Sequence, residues 1–185
     1  MFDLDRFIAD CQDALATGGT TRALRPVVER AVSNRGALIA TLGEPQAAGI
    51  NLLFRSPGLT ILNLIWGPGM TIMPHNHHMW AVIGIYTGRE DNIFWRQLPQ
   101  DSRWPIEAAG ARSLMAGDVA PLGEDIIHSV NNPLKRLTGA LHVYGGDFVC
   151  QAREEWDPET LHEQPYDMGR ARRLFEDSNR MLQAA

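Results

Sequence analysis

The chain has 185 residues, of which 44% are hydrophobic, a share typical of globular proteins. Seventeen basic and 22 acidic residues give a net charge of -5, without a basic block that would bind nucleic acid or an anionic membrane. No stretch reaches the roughly 20 apolar residues of a membrane span, and the two cysteines form no bridge or zinc pattern. We expect one cytoplasmic domain, 1–185, with small molecules or further copies of the chain as partners.

Residues 1–45 are predicted to form a helical N-terminal segment. Apolar residues recur at intervals of three and four from Asp3 to Leu15 and again from Thr21 to Ser33, so each segment has one apolar face. A similar pattern covers Met168 to Gln183, within a C-terminal extension of residues 151–185. We expect these helices to pack against a core and assign them no chemistry.

Residues 50–150 consist of short β-type runs separated by glycine and proline. Turn sequences such as Gly67-Pro68-Gly69 lie between the runs. Many short strands without alternating helices are typical of an antiparallel barrel or jelly roll, so the predicted fold is mainly β. The predicted strands are Ile50–Phe54, Thr60–Trp66, Thr71–Met73, Met79–Thr87, Asn92–Arg96, Arg112–Leu114, Val119–Leu122, His128–Val130 and Leu137–Tyr144.

Three of the six histidines lie within four residues, at positions 75, 77 and 78. Alternate side chains of a strand share a face, so His75 and His77 are predicted to point to one side and His78 to the other. His128 follows a second turn and could supply a third imidazole across a barrel interior. Three neutral imidazoles leave up to three positions of an octahedral metal ion for substrate and oxidant.

The order of these motifs resembles that of the cupin superfamily. Glycines flank His75-x-His77, and a turn containing glycine and proline precedes His128, as in the paired cupin motifs. The resemblance implies a double-stranded β-helix, a jelly-roll barrel, with a metal ion inside. Ala81 stands in place of the usual glutamate ligand, which leaves three histidines, the ligand set of the thiol dioxygenases in this superfamily.

Further segments resemble the bacterial branch of the cysteine and 3-mercaptopropionate dioxygenases. They are Trp66–Gly69, Leu141–Gly145 and Arg153–Pro158. The resemblance implies a mononuclear non-haem Fe(II) enzyme that uses O2 to oxidise a small thiol, such as 3-mercaptopropionate or cysteine, to its sulfinic acid. Nickel, zinc or manganese could replace iron in a recombinant preparation, because three imidazoles follow the general affinity series of divalent metals.

The resemblance also implies roles for individual residues. His75, His77 and His128 would hold the iron. Tyr144 would donate a hydrogen bond to the bound thiolate or to dioxygen, and His142 would orient Tyr144.

A thiol acid also needs a partner for its carboxylate, and a guanidinium binds one through two parallel hydrogen bonds. Arg153 is the first candidate, because it follows the His-x-Tyr strand as in the mercaptopropionate-type pattern. Arg55 is the second, because cysteine dioxygenases carry their carboxylate-binding arginine on the corresponding early strand. Trp80 is a candidate for the wall of the substrate pocket.

Two positions depart from the family pattern. Ala140 stands where relatives have the serine of a Ser-x-His-x-Tyr relay, and Ala81 excludes the cysteine–tyrosine cross-link of the animal enzymes. Two alternatives therefore stay open. One is another metal-dependent cupin enzyme, a carbon–carbon-bond dioxygenase or an isomerase, and the other is a non-catalytic cupin that binds a metal or ligand as a sensor.

Overall fold

The computed structural model describes residues 2–16, 18 and 20–184. Its helices are α1 (Leu4–Ala16), α2 (Thr21–Ser33), α3 (Arg35–Leu42) and α4 (Met168–Gln183). Within those residues, the helices are all too short or too polar to cross a bilayer. The strands are β1 (Gly49–Ser56), β2 (Leu59–Trp66), β3 (Thr71–His75), β4 (Ala81–Thr87), β5 (Arg89–Gln97), β6 (Ile106–Met115), β7 (Val119–Leu122), β8 (Ile127–Asn131), β9 (Thr138–Tyr144), β10 (Glu154–Trp156) and β11 (Glu163–Pro165).

The strands form two sheets that enclose a common core. One sheet has the order β1-β2-β9-β4-β7 and the other the order β11-β10-β3-β8-β5-β6. Neighbouring strands pair antiparallel, and the core between the sheets takes side chains from both, for example Leu62 of β2 and Val130 of β8. Two antiparallel sheets around one core form a jelly-roll barrel, which confirms the predicted mainly β fold class.

Side-chain alternation along the five-stranded sheet separates two cores. On β2, Leu62 and Leu64 point between the sheets, whereas Ile61 and Ile65 point to the opposite face. Helices α1, α2 and α3 cover that opposite face. Because both faces are covered, β2, β4 and β9 are buried along their whole length.

The predicted helices and strands agree with the structure most closely where the pattern is long. The bounds of α2 and α4 match the predicted ones to the residue. Helix α3 is not predicted by the sequence, because eight residues that include Gly36 are too few to show an apolar stripe. Strands β10 and β11 also escape prediction, since each has three residues and contains polar side chains.

Glycine at position 84 lets α2 approach β4 closely. A Cβ atom there would lie 2.5 Å from Val28 Cγ1 and 2.8 Å from Val32 Cγ1, and valine has few alternative rotamers. Gly84→Ala is therefore expected to destabilise the fold by about 1–3 kcal/mol and to lower the thermal midpoint by roughly 2–10 °C in calorimetry. Gly110→Ala, where a Cβ atom meets nothing within 4 Å, is the control. Equal midpoints for the two variants would contradict the close approach.

Candidate metal centre

Three buried histidines meet between the two sheets. His75 is the last residue of β3 and lies directly opposite His128 of β8. His77 reaches the same point from the loop after β3. The ring centroids are 4.6 to 5.2 Å apart, and one ring nitrogen from each histidine lies within 4.8 Å of the others. This group of ligand atoms could hold one metal ion.

The loop, and not a strand, carries His77. Because β3 ends at His75, the predicted alternation along one strand does not apply to His77. The loop is fastened by Asn76, whose backbone N–H donates to the carbonyl oxygen of Glu154 at 3.1 Å and whose side-chain N–H donates to the Glu154 carboxylate at 2.7 Å. His78 has a positive φ of 49° and pairs with the same carboxylate, away from the cluster.

Burial and hydrogen bonding leave the three imidazoles neutral. Burial lowers the pKa of His75 to about 4 and holds the pKa of His77 and of His128 well below the usual value. Nδ1 of His75 lies 2.9 Å from the carbonyl oxygen of Met73, and Nδ1 of His128 lies 2.7 Å from Oδ1 of Asn92. Both oxygens only accept, so these Nδ1 atoms carry the hydrogen and each Nε2 keeps its lone pair.

The remaining contacts of the cluster fit a metal ion. Nε2 of His77 and Nε2 of His128 are 3.0 Å apart. Nδ1 of His77 is buried and has no hydrogen-bond partner among residues 2–16, 18 and 20–184. Neutral imidazoles suit iron, zinc, copper and nickel. His75, His77 and His128 therefore form a donor set for a divalent transition metal.

A phenol and a fourth imidazole lie beside the cluster on β9. Tyr144 Oη is 3.0 Å from Nδ1 of His142, and the Tyr144 ring centroid lies 5.0 Å from that of His77. Tyr144 and His142 are two residues apart on one strand and share the face that points between the sheets. Burial raises the pKa of Tyr144, so the phenol keeps its hydrogen at neutral pH.

Glu90, a carboxylate not predicted as a site residue, lies behind His142. It accepts hydrogen bonds from Trp66 Nε1 at 2.7 Å and Asn92 Nδ2 at 2.9 Å, and one oxygen is 3.4 Å from Nε2 of His142. Burial acts to raise the pKa of Glu90, but the contacts with His142, Asn92 and Trp66 hold it below its usual value. The sequence gives only a weak signal for Glu90, because the predicted strand begins at Asn92 and leaves Glu90 outside it. In the structure β5 begins three residues earlier, at Arg89, and its alternation puts Glu90 and Asn92 on one face.

Arg153 packs against two aromatic rings that themselves lie next to His77 and His75, and part of its hydrogen-bonding capacity is unused. Its Cζ atom is 4.1 Å from the ring centroid of Phe148 and 4.3 Å from that of Tyr166. Nη1 donates to the carbonyl oxygen of Phe148 at 2.6 Å, but Nε and Nη2 make no hydrogen bond within the described part of the chain. The residue is 6% exposed, and buried donors are normally paired. An anionic ligand would satisfy the two free donors.

The structure does not bring Arg55 and Trp80 to the cluster. Nε and Nη2 of Arg55 donate to the carboxylate of Asp147 at 2.8 and 2.9 Å, so its fork of donors is already occupied. Trp80 packs in the outer core below the N-terminal helices. Its ring lies against Gly145, where an added Cβ atom would be 1.9 Å from the ring.

A small cavity of about 30 Å³ lies between the histidines and the ring of Tyr144. An ordered water needs roughly 10–15 Å³ of such space, so the cavity admits only a small ligand. Phe175 of α4 closes one side and stacks on Trp66, with 5.5 Å between the ring centroids. The aromatic side chains in the wall are Trp66, Tyr144, Phe148, Tyr166 and Phe175.

No family model matches the chain. Among solved structures, it is similar to a Cupin 2 conserved barrel domain protein from Salinispora arenicola CNS-205, with 22% identity over 52% of this chain and 74% of that chain and a TM-score of 0.41. An RmlC-like cupin family protein with a double-stranded β-helix fold, from Methanocaldococcus jannaschii, is 10% identical over 57% of this chain and 86% of that chain, with a TM-score of 0.45. An oxalate oxidase is 18% identical over 48% of this chain and 42% of that chain, with a TM-score of 0.38.

Proposed function

We propose that the protein is a mononuclear non-haem iron thiol dioxygenase that oxidises a small thiol acid to its sulfinic acid. The observation that carries the proposal is one buried pocket in which three neutral imidazoles lie beside the phenol of Tyr144, and whose wall residues Phe148 and Tyr166 pack against a guanidinium with two donors unpaired among the described residues. The reaction adds both atoms of O2 to the sulfur of R–SH and yields R–SO2H, so no further reductant is needed.

In this proposal His75, His77 and His128 would hold Fe(II). Iron, when bound, supplies the change of spin state that lets triplet dioxygen react with a singlet thiol. Neutral ligands would leave such an ion its full positive charge, which would favour the thiolate form of the substrate.

Arg153 is the proposed partner of the substrate carboxylate. Its free Nε and Nη2 atoms form one edge of the guanidinium, and this edge can bind both oxygens of a carboxylate. Arg55 already binds Asp147 in the same manner. The difference between the two arginines favours Arg153, the arginine of the mercaptopropionate-type pattern. The proposed substrate is therefore a thiol acid that needs no amino group.

Tyr144 is the proposed hydrogen-bond donor to the reacting thiolate or dioxygen. Its pKa, raised by burial, keeps the hydrogen on the phenol. His142 holds the phenol oxygen at 3.0 Å and so limits the directions in which Tyr144 can turn.

Tyr144→Phe is expected to lower turnover roughly ten- to hundredfold while leaving the iron content close to that of the wild type, because the phenol is not a ligand. Metal analysis and an oxygen electrode measure the two quantities. Tyr86→Phe is a matched control, since Tyr86 is equally buried but donates to Asn63 at 2.9 Å, outside the cavity. Unchanged turnover in Tyr144→Phe would rule out the role of the phenol.

The proposed function is tested by loading the metal-free protein with Fe(II) under anaerobic conditions and then adding air and a thiol. We expect oxygen uptake and sulfinate formation with 3-mercaptopropionate, and slower reaction with thiols that lack a carboxylate. Absence of oxygen uptake with a full panel of thiols would overturn the proposal. A change in the optical spectrum on adding thiol, without oxygen uptake, would instead favour a metal-binding sensor.

A further inference from the structure

One buried carboxylate, that of Glu90, lies next to two parts of the candidate site. One part is the pair His142 and Tyr144, and the other is the metal-ligand cluster. Glu90 is 0% exposed, and its oxygens face the indole N–H of Trp66, the amide of Asn92 and Nε2 of His142. An ionised carboxylate only accepts hydrogen bonds, so every group facing it must present a hydrogen. We propose that Glu90 is a positioning residue that orients His142 directly and the metal ligand His128 through Asn92.

On the first side, one Glu90 oxygen lies 3.4 Å from Nε2 of His142, an atom that has no hydrogen-bond partner among the described residues, so the carboxylate would hold the hydrogen of His142 on Nε2. Nδ1 then keeps its lone pair and faces the phenol oxygen of Tyr144 at 3.0 Å. The carboxylate thus becomes the third member of a relay in which the family pattern has a serine and this chain has Ala140. The relay here is Glu90–His142–Tyr144, a carboxylate, an imidazole and a phenol.

The consequence of this contact for the reaction rests on the proposed function. With Nδ1 of His142 facing the phenol oxygen at 3.0 Å, Tyr144 is held in one orientation toward the cavity, where its oxygen would meet the thiol or dioxygen.

On the second side, Glu90 determines which end of the Asn92 amide meets His128. Because Nδ2 of Asn92 donates to Glu90, its Oδ1 faces Nδ1 of His128 at 2.7 Å. Nδ1 must then carry the hydrogen, and Nε2 keeps its lone pair for the cluster. If the amide turned over, the hydrogen would move to Nε2 of His128 and block that ligand atom.

The proposal is tested on Glu90→Gln, whose side chain has the same shape but can donate as well as accept. In protein labelled with 15N-histidine, NMR reports which ring nitrogen carries the hydrogen. For the metal-free wild type we expect Nε2–H at His142 and Nδ1–H at His128. For Glu90→Gln we expect mixed tautomers at both residues and Ni(II) or Fe(II) binding weaker by roughly ten- to hundredfold.

Kinetics separate positioning from a purely structural role. We expect Glu90→Gln to lower kcat with little change in KM for the thiol, and Glu90→Asp, which keeps the charge, to recover part of the turnover. Glu155→Gln is the control for the relay and for kcat, because Glu155 is also 0% exposed but binds Arg170 and Gln164. It pairs with His75 between β10 and β3, so the metal affinity of this variant is not part of the comparison.

Two results would overturn the assignment of Glu90. One is wild-type tautomers, metal affinity and kcat in folded Glu90→Gln. The other, which needs no variant to fold, is hydrogen on Nδ1 and not on Nε2 of His142 in the resting wild type. If the wild type consumes no oxygen with any thiol, the proposed function fails, whereas the tautomers and the Ni(II) titration still decide the role of Glu90.

Discussion

Replacing His77 with alanine is expected to weaken divalent metal binding by more than about 100-fold and to abolish thiol-dependent oxygen uptake. Loss of a residue that merely supports a ligand costs roughly ten- to hundredfold in affinity, and loss of a ligand costs more. His77 is the best of the three to replace, because it lies in a loop and its Nδ1 has no protein partner within the described residues. Anaerobic calorimetric titration of the metal-free protein with Fe(II) or Ni(II) measures the affinity.

His162→Ala is the control for this prediction, since His162 is exposed and outside the cavity. It should bind metal as the wild type does. Thermal unfolding of the metal-free proteins establishes that His77→Ala is folded before its affinity is compared. A folded His77→Ala protein with unchanged metal affinity would remove the three-histidine site, and with it the proposed redox chemistry.

Replacing Arg153 with methionine is expected to lower kcat/KM for 3-mercaptopropionate roughly 100-fold. Hydrogen bonds to a charged group contribute up to about 3 kcal/mol each, and that amount corresponds to roughly a hundredfold change in kcat/KM. Methionine keeps much of the length and the contact with Phe148 and Tyr166. For a thiol without a carboxylate, such as ethanethiol, kcat/KM should change little.

Two further variants sharpen this test. Arg153→Lys keeps the charge without the planar fork and should recover only part of the activity. Arg55→Met should leave the reaction with 3-mercaptopropionate close to wild type, because Arg55 is occupied by Asp147. If Arg55→Met, and not Arg153→Met, removes the preference for carboxylate-bearing thiols, the cysteine-type assignment is the correct one.

The elements predicted best are those whose signal lies within a few neighbouring residues. The apolar stripes of α2 and α4 and the alternation along β2 and β9 are local patterns, and they led to the correct fold class. The strand that is predicted to carry both His75 and His77 ends at His75. The loop conformation that brings His77 back to the cluster depends on Asn76 and its contact with Glu154, 78 residues further along the chain.

The sequence by itself determined the mainly β fold, the helical ends and the set of histidines from which a metal centre could be built, because periodicity and short motifs are encoded by adjacent residues. Only the tertiary structure decided which polar groups are paired. Arg55 meets Asp147 across 92 residues, whereas Arg153 keeps two buried donors that pair with nothing in the described part of the chain. The carboxylate behind His142 also comes from a distant strand. Such pairings depend on how the sheets pack against each other, and no local pattern records that packing.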